Sequence, residues 1–466
     1  MGQLASKATW ILSGDIGVRI IGFLTTVYLA RTFGADGYGV IIIGLSVLGV
    51  GLWFADLGLN TLGTREVSKK PNHTYSENQI FSAKVIMAVV SFITGSILIW
   101  IIFYENRTTA IILQLFLLAI IPHSIQIEWL YNGLQIFSRI TYSRILQASI
   151  YLFLVFFLTG PNELIYVPVF YTISVTIAAL FLLALYKNRK SLNLFEMNQG
   201  NLRILISDGF RLGLGSLFAQ FVILLPPLFI GYFLGNSQAG YYGAAFKLIL
   251  LVMLLDRMIT TLLLPNLSRI WKNKRKDAVY HLNNLLKLAT AFSCAAALFL
   301  YYGADTIIPL IFGDGYSKSA FVLPILSFFL PATFANSIFA YGLIATGHDS
   351  DYLQSAMRAG IAILFLLLFV SSIGNLSWIS FAVILSEITI MLFMYASFSK
   401  VVNIKIQTPM LQVAVFMIVL MTGILLSANQ YRVSALVLPS LYLVILYGFK
   451  ILHKQEFSWL KKRLFP

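Results

Sequence analysis

Apolar residues run along the whole chain in blocks of about 20, each near the length that crosses a bilayer as a helix, with short polar stretches between them. We read about 14 such spans. The first half holds residues 10–31, 38–61, 80–103, 109–131, 143–159 and 164–186. A polar segment at 187–203 follows. The second half holds 204–234, 241–265, 285–302, 320–346, 352–371 and 376–397, and a last pair lies at 410–427 and 433–452. The first block is too long and too charged for a removable signal peptide, so it is expected to stay in the membrane.

Composition agrees. Of 466 residues, 59% are hydrophobic and 11% charged, against about 25% charged in soluble domains. No polar stretch is long enough to hide a soluble core. The single cysteine, Cys294, excludes disulfides and multi-cysteine metal sites. A net charge of +15 would suggest nucleic acid in a soluble protein. Here it follows the loops. With the N-terminus in the cytoplasm, Lys and Arg divide roughly 22 to 4 in favour of the cytoplasmic side, as the positive-inside rule demands. Both termini are therefore expected in the cytoplasm.

The halves share a weak repeat. Ala35-Asp36-Gly37-Tyr38-Gly39 resembles Ala239-Gly240-Tyr241-Tyr242-Gly243, and in the same register Thr64-Arg65 falls on Ser268-Arg269. Repeats with a substrate site at their interface are the usual plan of secondary transporters. Both copies run in the same direction, which makes the repeat parallel.

Ionised groups inside spans are costly and usually functional. Asp15 and Arg19 sit i, i+4 on one helix face, with Arg19 about 13 Å past Trp10. They form either a self-neutralised pair packed in the bundle or a cavity-lining pair that offers Arg19 to an anion. Asp208 and Arg211 repeat the arrangement at i, i+3, where Arg211 could also snorkel to headgroups. Adjacent Asp256 and Arg257 face different sides, so Lys247 and Arg257 are candidates for a cationic wall. Asp56 lies late in its span. Lys84 and Glu128 lie near span ends and read as snorkelling or capping residues. His123, after Pro122, reads as a partner for backbone freed by a kink. Arg358 adds a further charge. Glu387, mid-span, is the second-half candidate for a proton or cation site.

The turn at Gly34, Gly37 and Gly39 lacks the lysine of a phosphate loop and reads as a tight helix connection. Gly213-Leu214-Gly215 and Pro226-Pro227 predict a bent helix. Asn72-His73-Thr74 and Asn106-Arg107-Thr108 fit glycosylation acceptors, a pattern that also arises by chance. No nucleotide, heme or flavin motif and no catalytic triad is present. The expectation is a transporter, not an enzyme, with no cofactor and no metal, driven by a gradient, the membrane potential or a partner.

Arg19-Ile20-Ile21-Gly22-Phe23, Leu29-Ala30-Arg31-Thr32-Phe33-Gly34 and Gly37-Tyr38-Gly39 resemble the opening of bacterial polysaccharide flippases of the O-antigen (Wzx) type. Phe54-Ala55-Asp56-Leu57-Gly58-Leu59-Asn60 and Thr64-Arg65-Glu66 continue the likeness. It is specific over about the first 70 residues and rests beyond them on topology, the repeat and Leu264-Pro265. These flippases belong to the multidrug/oligosaccharidyl-lipid/polysaccharide exporter superfamily. The resemblance implies an all-α polytopic protein. Two six-helix lobes, 1–190 and 200–400, would form a V around a cavity, with a C-terminal helix pair and basic tail at 405–466. It implies movement of an oligosaccharide on undecaprenyl pyrophosphate to the outer leaflet of the cytoplasmic membrane, for O-antigen, capsule or exopolysaccharide. The substrate cations would be Arg19 first, then Arg211, Lys247 and Arg257, because guanidinium pairs well with phosphate. Asp15, Asp56, Asp256 and Glu387 would tune cavity charge or coupling. Implied partners are the lipid-linked oligosaccharide, membrane lipids, a polysaccharide polymerase and a chain-length regulator, with no nucleic acid. The alternatives are a lipid II flippase and a cation-coupled multidrug exporter of the same superfamily. The exporter should prefer an acidic cavity. A polymerase would carry a large outer loop, and the outer loops here are short.

Overall fold

The computed structural model describes residues 2–69, 74–187, 199–402, 406–428 and 435–452. The polar segment 188–198, Asn72 and His73 of the first acceptor tripeptide, and the basic tail beyond Leu452 lie outside them. The described residues are mostly helical, joined by short turns, and contain no strand. A bilayer imposes this, since a spanning segment must satisfy its own backbone polar groups. The chain is a multi-pass membrane protein. Nine described helices are long and apolar enough to cross, or ten if one bent pair counts as a single span. The count of about 14 rests on reading Gly14–Asp56, 43 residues long, as two crossings, and on counting shorter apolar pieces such as Gln220–Leu234 and Val437–Gly448.

Two compact units divide the chain, Met1–Gly240 and Tyr241–Pro466. In the first, α1 (Gly2–Asp56) changes direction at Gly34, the one residue inside it with non-helical angles (φ 64°). Gly37 and Gly39, expected to share that turn, are helical. Gly39 serves close approach instead, because a Cβ there would strike the carbonyl of Asn236. Next come α2 (Leu59–Ser68) and α3 (Glu77–Ile102), the latter opened by a Ser76–Gln79 capping box. The predicted span at 109–131 is broken into α4 (Arg107–Leu118), α5 (Ile120–Ile125) and α6 (Glu128–Gly133). Then follow α7 (Phe137–Val155), α8 (Tyr166–Lys187) and α9 (Gln199–Leu234). The backbone of α9 stays helical through Pro226 and Pro227. Helix α9 packs on α1, α2 and α3 and so belongs to the first unit. At the far end of that contact, the Ser237 hydroxyl donates to Asp36 at 3.0 Å.

The second unit starts within α10 (Asn236–Asn273) and continues through α11 (Arg275–Phe312), α12 (Ser317–Ser327) and α13 (Phe329–Ala345). The predicted span 320–346 is the pair α12 and α13, bent by 41°. After α14 (Asp349–Ser371) and α15 (Leu376–Val401), α16 (Gln407–Ala428) and α17 (Val437–Gly448) pack against α11 around Cys294, Phe416 and Tyr442. Tyr38 and Tyr242, equivalent in the repeat, are both fully buried.

Candidate functional site

Five charges of the first unit, Asp15, Arg144, Glu128, Lys84 and Asp56, lie along one run. It begins on α1 with Asp15, whose carboxylate accepts a bond from Arg144 at 3.3 Å. Arg144, on α7, also grips Glu128 with Nε and Nη2, the shortest contact being 2.7 Å. This two-nitrogen grip on one carboxylate is the geometry that favours arginine over lysine. Glu128 stands in the first turn of α6, where the helix N-terminus favours a carboxylate. Lys84, 4% exposed on α3, acts electrostatically on both Glu128 and Asp56. Its ammonium donates to Asn60 Oδ1 at 2.7 Å. Asn60 in turn donates its backbone N–H to Asp56 Oδ1 at 3.0 Å. The sign alternates from Asp15 through Arg144, Glu128 and Lys84 to Asp56. A buried ion persists in a membrane unit only when compensated in this way.

Two expectations change. Lys84 and Glu128 do not snorkel; Lys84 is buried and Glu128 is held by Arg144. The break at Ile127, where α6 starts, turns Glu128 inward. Asp15, one turn from Arg19 on α1, also reaches Arg144, 129 residues away. Arg19 is half-buried one turn along. The ring of His123 does not serve freed backbone either. It meets Gln126 and Tyr171, each at 3.2 Å, and Gln126 continues to Gln147 at 3.3 Å.

Where α1 ends, Asp56 is followed by Leu57 (φ 40°) and Gly58 (φ 81°), both left-handed. A Cβ on Gly58 would strike the Gly209 carbonyl and lie 2.6 Å from the Gly213 nitrogen. Only glycine lets α9 approach so closely at that angle. Asp208, beside this contact, accepts a bond from the Tyr75 hydroxyl at 2.9 Å, and Arg211 is exposed.

In the second unit the acidic groups converge on α13. Asp256, 8% exposed on α10, accepts from Ser337 at 2.7 Å. Glu387, 4% exposed on α15, accepts from Asn336 at 3.2 Å. Thr333, Asn336 and Ser337 share one face of α13 at i, i+3 and i+4. The sequence reading missed this polar face; its signal was that spacing inside an otherwise apolar helix. Lys247 is half-buried on α10, whereas the side chain of Arg257 lies outside the described residues. Arg358 is exposed. The described residues hold no group of three His, Cys, Asp or Glu side chains able to bind a metal ion.

The polysaccharide biosynthesis protein family matches residues 4–271, more than half of the chain. The chain belongs to this family. The match spans α1 through most of α10 and so contains the whole run from Asp15 to Asp56, well beyond the 70 residues that carried the resemblance. The putative O-antigen transporter of Escherichia coli (strain K12) is 23% identical over 363 residues, covering 75% of this chain and 85% of that one. Among solved structures, the lipid II flippase MurJ in an inward closed conformation superposes with a TM-score of 0.70 at 15% identity, over 98% of this chain and 99% of that chain. An inward-facing multidrug resistance transporter of the MATE family gives 0.65 at 12% identity, over 84% and 97%. These structures show that this family member shares their fold.

Proposed function

We propose that the chain is a flippase carrying undecaprenyl-pyrophosphate-linked oligosaccharide across the cytoplasmic membrane for surface polysaccharide synthesis, with both termini in the cytoplasm. No bond is made or broken in this task, so the work is to shelter a charged, hydrated headgroup from lipid. The observation that carries the reading is the compensated charge run of the first unit, inside the segment that matches the family. Ionised groups in a membrane unit cost several kcal/mol each, and they usually face a polar path that uses them. Arg19 is proposed as the first pyrophosphate contact, with Arg211, Lys247 and Arg257 as further cations. Asp15 and Asp56 set the local charge. Asp256 and Glu387, each hydrogen-bonded to α13, are proposed as the coupling groups. A polymerase and a chain-length regulator would take the product. The lobes proposed for this task are 1–190 and 200–400, with the helix pair at 405–466.

A strain lacking the protein should accumulate the complete lipid-linked repeat unit on the inner leaflet and lose surface polysaccharide. If the repeat unit reaches the outer leaflet at the normal rate, the proposal is wrong. In that strain, Arg19→Ala should fail to restore polysaccharide at normal protein abundance, and Arg19→Lys should restore part of it because the two-nitrogen fork is lost. Wild-type export by Arg19→Ala would make the residue structural only. Glu387→Gln keeps the shape and one oxygen acceptor but not the charge. It should cut export about tenfold, the effect of losing one charged interaction, and flatten its dependence on an imposed ion gradient. Retention of that dependence would remove Glu387 from coupling.

A further inference from the structure

The end of α2 carries a buried carboxylate that no part of the proposed substrate path uses. Glu66, on the last turn of α2, is 1% exposed. Lys69 donates to its Oε1 at 3.0 Å, the Thr74 backbone N–H to its Oε2 at 2.6 Å, and Arg65 lies 3.6 Å away. Burial opposes its charge, but the Thr74 N–H and the Lys69 ammonium outweigh that cost and hold it below the usual carboxylate range. Glu66 therefore ties the end of α2 to the residues just before α3. Those residues are fixed from the other side by the Ser76–Gln79 capping box and by Glu77, which accepts from Tyr186 of α8 at 2.5 Å.

What this bracing presents is Tyr75. Its ring is buried, and its hydroxyl reaches Asp208 near the start of α9 at 2.9 Å. The same end of α9 lies backbone-to-backbone on Gly58 through Gly209 and Gly213. These contacts join α9 to α2 and α3 on the side that the basic loops assign to the cytoplasm. On the transporter reading, this end of α9 would leave them when the protein opens to that side.

We propose that Glu66 is a positioning residue for an inner latch: it holds Tyr75 against Asp208, and breaking that hydroxyl–carboxylate bond frees the start of α9 for inward opening. The proposal rests on the transporter reading, yet its test needs no substrate. A weak, single hydrogen bond suits the task, because a latch worth about 1 kcal/mol opens on the thermal scale and shifts the open fraction about fivefold when lost.

Gly22→Cys supplies a reporter on the α1 face shared by Asp15 and Arg19, where a Cβ meets nothing within 4 Å. The native Cys294 is fully buried, and the chain without Gly22→Cys gives the background. Inside-out membrane vesicles are treated with a membrane-impermeant maleimide. Tyr75→Phe, which keeps the buried ring, should raise the labelling rate about fivefold, the effect of one lost hydrogen bond. Asp208→Asn, which attacks the latch from α9, should also raise it. Glu66→Gln should match Tyr75→Phe, and the double variant Glu66→Gln with Tyr75→Phe should add nothing further, since both act through one bond. Unchanged labelling in both Tyr75→Phe and Asp208→Asn overturns the latch. Raised labelling in Tyr75→Phe with a wild-type rate in Glu66→Gln overturns the role of Glu66. Normal outer-leaflet delivery of the repeat unit in the deletion strain would instead strike the flippase reading and leave the labelling result standing.

Discussion

Gly58→Val is expected to lower folded protein in the membrane severalfold and to remove export with it. Gly58 holds φ 81°, where a β-branched residue is strained by roughly 1–2 kcal/mol. Its added carbons would also overlap the Gly209 carbonyl and the Gly213 backbone. Backbone cannot rotate away as a side chain can, so α9 must shift, at a further cost of about 1–3 kcal/mol. That sum is a large part of the roughly 5–15 kcal/mol that stabilises a typical protein. Gly160→Ala is the control, because a Cβ there meets nothing within 4 Å. Membrane abundance and surface polysaccharide, measured on both variants, decide the matter. Normal abundance of Gly58→Val would mean that α9 does not rest on Gly58 in the resting state.

Arg144→Ala should be nearly as severe for export, with a smaller loss of protein. It leaves Asp15 and Glu128 without the guanidinium that joins them. Arg144 is 43% exposed, so the loss is placed at about 1–3 kcal/mol, below that of a fully buried pair. Arg144→Lys should recover part of the function, as one ammonium cannot hold both oxygens of Glu128 in plane. The second change Glu128→Gln, made on Arg144→Ala, should restore some export by removing the carboxylate that has lost its guanidinium. A double-mutant cycle on polysaccharide yield measures that recovery. Strict additivity would show that the two residues act apart.

These residues also mark where sequence reasoning reached and where it stopped. Span positions and the helical class follow from hydropathy, since a bilayer permits little else. Helix spacing correctly put Asp15 and Arg19 on one face, yet a local rule carries no information about Arg144 on another helix. Glu128 looked like a span-end residue because it lies three residues before the end of the apolar block 109–131. The break at Ala119 is signalled by Pro122, which has no N–H for the Leu118 carbonyl, whereas the break at Ile127 leaves no mark in periodicity. The α13 face went unnoticed because Ser and Thr in apolar helices commonly bond their own carbonyls, as Ser380 and Thr389 do here. Only the fold reveals which hydroxyls turn to a carboxylate instead.

The pairing of Asp15 with Arg144 also sets an order of events during synthesis. The two lie 129 residues apart. At a translation rate of about 5–20 residues per second, α7 leaves the ribosome roughly 6–26 s after the aspartate of α1. For that interval the nascent first helix carries a carboxylate whose contact on α7 does not yet exist. Until then Arg19, one turn along the same helix, is the nearest cation in the sequence. Truncations ending before α7 should therefore lack the junction of Asp15, Arg144 and Glu128, and the charge run should close only when α7 arrives.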